Sequence, residues 1–398
     1  MTASLNEKLR TVKWGEYKLG DLFKSSNGDY DIQKEHINGL GEYVITSGLA
    51  NNGILGKTDV AAKVFQAGTI TVDMFGASFY RNFKYKMVTH ARVFSLTPKS
   101  FILNDKKGLF ISSALRYICH IFGFDNMCTW DKIKEKSIKL PTRAGKIDFV
   151  FMESFIAELE AERVAELSAY LTVSGLDNYE LSSEEENALK NYQSLSWDTY
   201  NLEKLFGKST RGKRLKGDDR IAGTLPFVTA GEAAEGISAY ISNEVEVFEK
   251  NTTTIDMFGS AKYRNYRYGA DDHVAVVHTE VVPMKASIFL TSAIHKAAHT
   301  GKFDYGHNFY AKDADALDIM LPTKDGKPDY DSMATLISAV QKLVIKDVVK
   351  YADEKTKAYH TVVGHNDKQK IEYTYEIKSK PLMVADGDRA DETSLLIE

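Results

Sequence analysis

Cysteine is nearly absent from this chain of 398 residues: Cys119 and Cys128 are its only two. They lie nine positions apart, with no second pair and no flanking histidines to complete a four-ligand zinc site, so they are expected to be buried thiols. Long apolar runs are missing too. No stretch of eighteen apolar residues is present to span a bilayer, and the opening MTASLNEKLRTVKW is polar, without the apolar core of a secretory signal. The expectation is a soluble, cytosolic protein with no membrane partner. Positive charge is not in excess: the formal net charge is −4, so any polyanionic partner has to be held by local basic surface. We also find no P-loop, no Gly-rich dinucleotide fingerprint, no Asn-Pro-Pro-Tyr-type amino-methyltransferase motif and no nuclease carboxylate-lysine cluster. The chain is therefore expected to carry no catalytic residues, no cofactor and no metal of its own.

What is present is a sequence written twice. At 43% hydrophobic and 27% charged residues, the composition is that of a globular protein long enough for two domains. Trp14-Gly-Glu-Tyr17-Lys-Leu19-Gly-Asp-Leu22-Phe23 returns 183 positions later as Trp197-Asp-Thr-Tyr200-Asn-Leu202-Glu-Lys-Leu205-Phe206. Val44-Ile-Thr46-Ser-Gly48 returns as Phe227-Val-Thr229-Ala-Gly231, with Gly53-Ile54 and Gly236-Ile237 in step. TVDMFGASFYRNFKY (71–85) and TIDMFGSAKYRNYRY (254–268) share nine of fifteen residues at the same offset. Later pairs drift to offsets of 179 and 181, as small loop deletions would produce: Ser113-Ala114 with Ser292-Ala293, then LPTRAGKID (140–148) with LPTKDGKPD (321–329). A period this long, seen twice, means two copies of a whole domain rather than a solenoid. It suggests a pseudo-two-fold molecule suited to a target with two related halves, of which duplex DNA is the commonest.

Within each copy, short apolar and aromatic runs such as Tyr43–Ile45, Thr69–Met74 and Val274–Val277 lie between Gly-, Asn- and Asp-containing turns, the pattern of strands. Helical spacing around Phe110–Phe122 and Ile288–Ala298 predicts one short helix per copy. Each copy then ends in a long amphipathic pattern. In the first, Met152, Ile156, Leu159, Val164, Leu167 and Leu171 recur at three-four spacing; in the second, Met333, Ile337, Val340, Val344, Tyr351 and Lys355 do so, with Asp331 as a natural N-cap. Ser174-Gly175 is a stop signal, and Ser183-Glu-Glu-Glu186 a capping-box pattern opening a shorter helix. A helix of about 25 residues is roughly 37 Å long, close to one turn of B-DNA at roughly 34 Å. The predicted fold is α+β: two β-rich domains related by pseudo-two-fold symmetry and separated by two long antiparallel helices. The plainer alternative is that each helix only completes its own domain's core.

Candidate DNA contacts fall in two places. Tyr80-Arg81-Asn82 and Tyr263-Arg264-Asn265, with Lys84 and Arg267 just beyond, offer residue types that read guanine and adenine edges or grip phosphates. Both copies keep the triplet, whereas domains reading different half-sites should differ at base-reading positions, which favours a structural or phosphate role. The second place is Lys208-Ser-Thr-Arg211-Gly-Lys213-Arg214-Leu-Lys216, a Gly-broken basic segment able to lay cations along phosphates, or else a solvated loop balanced by Asp218 and Asp219. The Asp-Met-Phe-Gly turns are simpler as strand ends than as catalytic carboxylates. His90 and His273 coincide at offset 183, but one histidine per domain suggests no catalyst.

The ordered set Trp-x-x-Tyr-x-Leu-x-x-Leu-Phe, Arg211-Gly-Lys-Arg-Leu215, Ile255-Asp-Met-Phe-Gly-Ser-Ala-Lys-Tyr-Arg264 and Ala270-Asp-Asp-His-Val274 resembles restriction-modification specificity subunits of type I and type IIB. The resemblance implies a target-recognition domain at 1–148, a spacer region at 149–196, a second recognition domain at 197–329 and a spacer helix at 330–364. It leaves a tail at 365–398, read as a hairpin followed by an acidic stretch. It implies a bipartite double-stranded DNA site and docking of methyltransferase subunits, two of them, against the helices at Met152, Ile156, Leu159, Met333, Ile337 and Val340. Those partners, with a restriction subunit, would bring S-adenosylmethionine and Mg²⁺ for adenine methylation and cleavage. A chain with its own DNA-cleaving or modifying activity, and a duplicated β-domain binding protein or carbohydrate, are the competing possibilities. In one place the copies differ: Met87-Val-Thr-His90 stands where the second has Ala270-Asp-Asp-His273, so Asp271 and Asp272 are not a shared feature.

Overall fold

The structure is a computed structural model, described for residues 3–363. The expected hairpin and acidic tail at 365–398 lie outside these residues. By packing, the chain divides into two compact units, one holding the residues up to Leu167 together with the stretch from Lys355, the other Ser168–Glu354.

Unit 1 opens with α1 (Ala3–Thr11), followed by β1 (Trp14–Lys18), β2 (Phe23–Asn27), β3 (Glu42–Ile45), β4 (Ile54–Thr58), β5 (Thr69–Val72), β6 (Ser78–Arg81), β7 (Tyr85–Met87) and β8 (Phe94–Pro98). Then come α2 (Asp105–Ala114), β9 (Ser137–Arg143), β10 (Lys146–Ile147) and the long helix α3 (Phe149–Val173). The strands form an antiparallel sheet β2-β8-β5-β6, a mixed sheet β4-β3-β7 and a small antiparallel sheet β1-β9-β10. The central strand β5, Thr-Ile-Thr-Val, is buried on both faces. On one side Ile70 and Val72 join Phe94, Leu96, Ile111 and Leu115 in the main core, which the start of α3 completes with Met152, Phe155 and Ile156. On the other side Val44, Ile45, Tyr85 and Met87 form a second core. Thr69 of β5 stays satisfied despite burial: its hydroxyl lies 2.8 Å from that of Tyr85, which donates to Ser95 Oγ at 2.7 Å.

Unit 2 repeats this plan after α4 (Ser183–Lys190). Its strands are β11 (Trp197–Asn201), β12 (Thr210–Arg211), β13 (Ala222–Val228), β14 (Ile237–Ile241), β15 (Thr252–Asp256), β16 (Ala261–Arg264), β17 (Gly269–Ala270), β18 (Val274–Val277), β19 (Asp318–Lys324) and β20 (Lys327–Pro328). The helix α5 (Met284–Ala298) precedes β19, and α6 (Tyr330–Val363) closes the described chain. The sheets are β12-β18-β15-β16, β14-β13-β17 and β11-β19-β20, strand for strand those of unit 1. The two β-rich sheet groups and long helices predicted from the repeat are present.

Helix ends differ from the sequence reading by small amounts. Asp329, not Asp331, caps α6, its Oδ1 accepting from Ser332 N–H at 3.0 Å. Asp148 does the same for α3, accepting from Phe151 N–H at 3.0 Å, so the final Asp of the repeated LPT segment is a cap in both copies. Ser182 rather than Ser183 caps α4, in a capping box with Glu185. The α3 helix ends at Gly175, whose φ of 65° lets Leu176 N–H reach back to Leu171 C=O. At 34 residues, α6 is longer than the expected 25, about 51 Å at 1.5 Å per residue. Among the described residues, no helix is long and apolar enough to cross a membrane.

Candidate nucleic-acid interface

In unit 2 the register of one sheet gathers several loops at a single end. Arg211 pairs with Ala275 and Asp256 with Val274, so β12 and β15 both run toward that end with β18 between them. The basic segment leaves β12 there, beside the Asp256–Gly259 turn. Gly212 makes the close passage possible: a Cβ on it would lie 1.7 Å from the carbonyl oxygen of Ala270. Arg211, Lys213, Arg214 and Lys216 are all exposed. Among the described residues the side chains of Arg211, Lys213 and Lys216 have no ion-pair partner, and Asp218 and Asp219 do not neutralise them as a balanced loop would require. Arg214 is the exception, facing Asp272 at 3.6 Å and His273 Nδ1 at 3.5 Å.

Asp271, Asp272 and His273 place three ligand-type atoms within 4.8 Å of one another. Arg214 and the His273 ring both face the Asp272 carboxylate, which places an Arg–Asp ion pair beside the basic segment. Burial above all, with the neighbouring Asp272 adding to it, pushes the Asp271 carboxyl above its ordinary range. Unit 1 reaches a related pairing with the roles exchanged. There Asp31, beyond β2, holds His90 Nδ1 at 2.6 Å, and this hydrogen bond lowers the carboxyl's pKa. The sequence difference at Asp271 and Asp272 is thus compensated from another segment.

The Asp-Met-Phe-Gly turns are structural, as expected. Asp73 Oδ1 accepts from Phe75 and Ala77 N–H at 2.9 Å each, while its Oδ2 accepts from Gly48 N–H at 2.8 Å. Asp256 repeats the pattern with Phe258, Ser260 and Gly231. Each buried carboxylate therefore ties the turn to the loop between the first two strands of the small mixed sheet. A third loop joins them: Phe75 packs edge-on against Phe124 at 4.9 Å, and Phe258 against Tyr305 at 5.3 Å. Phe124 and Tyr305 are 75% and 85% exposed.

The Tyr-Arg-Asn triplets require correction as DNA contacts. Arg81 and Arg264 are 2% and 1% exposed, and Arg81 Nε donates to Thr71 Oγ1 and its Nη2 to Asn52 C=O. Arg264 donates to Thr254 Oγ1 and to the Tyr266 hydroxyl. Neither guanidinium can reach a groove; burial lowers the Arg81 pKa to about 10. Tyr80 packs over Gly108 of α2 and donates to Asp105, burial and that carboxylate raising it to about 12. Tyr263 donates to Asn251 Oδ1 at 3.0 Å. Asn82, Lys84, Asn265 and Arg267 are exposed, but at the other end of the sheet, since Arg81 pairs with Thr69 and Arg264 with Thr252 at the strand starts. Arg267 is also engaged by Glu249 at 3.1 Å. Within unit 2, the structure does not bring Asn265 and Arg267 to the basic segment.

The partner positions are corrected similarly. Met152 and Met333 are fully buried and Ile156 is 8% exposed, each in its own unit's core, with Leu159 packed against it. They hold the helix starts to the domains and are not available for docking. Ile337 is half-buried. Val340 is 44% exposed and begins an uncovered stripe on α6 with Leu343, Val344 and Val348.

Residues 11–169 match the family model of the type I restriction modification DNA specificity domain. The chain is also 24% identical over 341 residues to the specificity subunit S.BcgI of the type II restriction enzyme BgcI from Heyndrickxia coagulans, spanning 84% of this chain and 96% of the relative. The chain is thus similar to restriction-modification specificity subunits, with the family match on residues 11–169. Its fold is similar to that of the crystallised type I S subunit from M. genitalium, with a TM-score of 0.56 at 15% identity over 89% of this chain and 95% of the other. The family match falls on the first copy, and unit 2 repeats that copy's topology. Sequence reasoning missed two loops, the one at Leu49–Asn52 and the one carrying Phe124, together with their counterparts in unit 2. Only the in-step Gly53 and Gly236 hinted at the first of them.

Proposed function

We propose that this chain is a specificity subunit, each unit of which reads one part of a bipartite duplex DNA site with the loop-bearing end of its four-stranded sheet. In the same reading the long helices act as spacers, and the exposed stripe of α6 docks methyltransferase subunits. The observation that carries this reading is the convergence of unpaired Arg211, Lys213 and Lys216 on the sheet end where the Asp256 turn and its tethered loop lie. Cations without protein partners at a loop-rich edge suit phosphate contact, which positions a protein on DNA while neighbouring loops specify bases. Chemistry comes from the partners: two methyltransferase subunits carrying S-adenosylmethionine for adenine methylation, and a Mg²⁺-dependent restriction activity.

Charge reversal of Lys213 and Arg214 to Glu tests the basic segment. Affinity should fall across all duplex sequences, and the slope of log affinity against log salt should flatten by about 0.9 per lost phosphate contact. Unchanged affinity and slope would remove the segment from the interface.

A further inference from the structure

The loop between the first two strands of each mixed sheet has the same strained backbone in both units. In unit 1, Asn51 and Asn52 adopt φ/ψ of 47/36° and 52/34°; in unit 2, Ala234 and Glu235 adopt 46/36° and 54/27°. Two consecutive left-handed residues are costly for any side chain but glycine, and Ala and Glu lack even the local hydrogen bonding that eases Asn into this region. Such a conformation persists only where its surroundings impose it. Here they do so in duplicate. Thr46 N–H donates to Gly53 C=O at 2.8 Å, and Thr229 N–H to Gly236 C=O at 2.8 Å. Gly53 and Gly236 sit at φ of 71° and 80°, where a Cβ would meet the Thr46 or Thr229 carbonyl oxygen at 2.8 or 2.7 Å. The buried aspartate of the neighbouring turn holds Gly48 or Gly231, and in unit 1 buried Arg81 holds the Asn52 carbonyl.

The frame is kept and the side chains it presents are not. Leu49-Ala50-Asn51-Asn52 stands opposite Glu232-Ala233-Ala234-Glu235, all exposed. Within the tips, several groups are already engaged: Asn51 Nδ2 donates to Ile54 C=O, and Glu232 pairs with Lys262 at 3.3 Å. The Asn52 carboxamide and the Glu235 carboxylate, at equivalent positions 183 residues apart, have no hydrogen-bond or ion-pair partner among the described residues. A carboxamide matches the N6/N7 edge of adenine, and a carboxylate accepts from the N4 amino group of cytosine.

Resting on the DNA reading above, we propose that Asn52 and Glu235 are equivalent base-reading residues. Each is carried on a backbone clamp common to both units, Asn52 selecting an A·T pair and Glu235 a C·G pair in their respective half-sites. The rigid clamp makes the position interchangeable: changing the side chain changes the base read without moving the protein on its phosphates.

The test uses the full chain in the complex it forms with its methyltransferase subunits, with a randomised duplex library as the probe. Asn52→Glu should shift one base pair of one half-site from A·T toward C·G by about tenfold or more in enrichment, and Glu235→Asn the converse in the other half-site. Affinity for non-specific duplex should stay within about twofold. Asn52→Gly and Glu235→Gly, which relieve the backbone, should melt no lower than wild type yet lose preference at the same pairs. A wild-type site retained by all four variants overturns the assignment of these positions while leaving the DNA reading intact. Absence of any enriched site with the wild-type complex overturns that reading itself.

Discussion

Arg81 and Arg264 carry the same residue type to the same buried place, and their work is to join β5 or β15 to neighbouring segments. Replacing Arg81 with Met leaves Thr71 Oγ1 and the Asn52 carbonyl without their donor, so unit 1 should lose about 2 kcal/mol in denaturant melts. Asn82→Ala and Lys84→Ala, on exposed side chains, should change stability by no more than about 0.5 kcal/mol. A second residue-scale expectation concerns Glu185. Burial alone would raise its pKa, but Lys342 at 2.8 Å, Ser338 and the Ser182 N–H outweigh it and hold the carboxyl at about 2. A carboxylate depressed in the folded state stabilises it above its ordinary range of about 4.3, and this contribution disappears as pH falls toward the folded value. Between about pH 4.5 and 2, wild type should therefore lose stability more steeply than Lys342→Met, measured as the difference between their melting temperatures.

At the scale of elements, the basic segment depends on backbone contact as much as on charge. Gly212 passes so close to the Ala270 carbonyl that Gly212→Ala has to push the segment off the sheet end. The expected cost is about 2 kcal/mol in stability, together with weaker DNA binding although every cation remains. Equal affinity for wild type and variant would show that the segment's path is unimportant. The long helices illustrate a different balance. Their lengths follow from sequence without internal Pro or Gly, and their starts from Asp148 and Asp329. Which of their apolar residues stay free follows from the domain each helix packs on. Met152 and Met333, the first apolar residues of the pattern, are taken by the cores, and on α6 the exposed apolar stripe begins at Val340.

At the scale of the whole molecule, the two units share strand order, clamp aspartates and buried arginines but not surface charge. The first copy's counterpart of the basic segment, Lys24-Ser-Ser-Asn27-Gly, offers one lysine within the strand, with Lys63 lying against Ser26 and the Asn27 carbonyl. Unit 2 is therefore the stronger phosphate-binding half of the proposed interface. A specificity subunit built in this way should be inert alone. With S-adenosylmethionine and Mg²⁺, the purified chain should neither methylate nor cleave duplex DNA until methyltransferase subunits are added, and turnover without them would place catalysis in this chain.

The sequence by itself determined the duplication, the β-rich class of both copies and the positions of the long helices. These depend on periodicity, glycine spacing and caps, all of which are local signals. Only the tertiary structure decided which side chains are available. The repetition of the Arg triplet left a structural and a phosphate-binding role both open until strand pairing turned the Arg inward, and Met152 looks like part of a docking face until the core closes over it. The left-handed pair at Ala234 and Glu235 left no trace in composition, because neither residue favours that conformation; the loop is framed by the Thr229–Gly236 hydrogen bond and by the one from Gly231 to the distant Asp256. Burial and strain of this kind are properties of segments far apart in the chain meeting in space, and no local pattern encodes them.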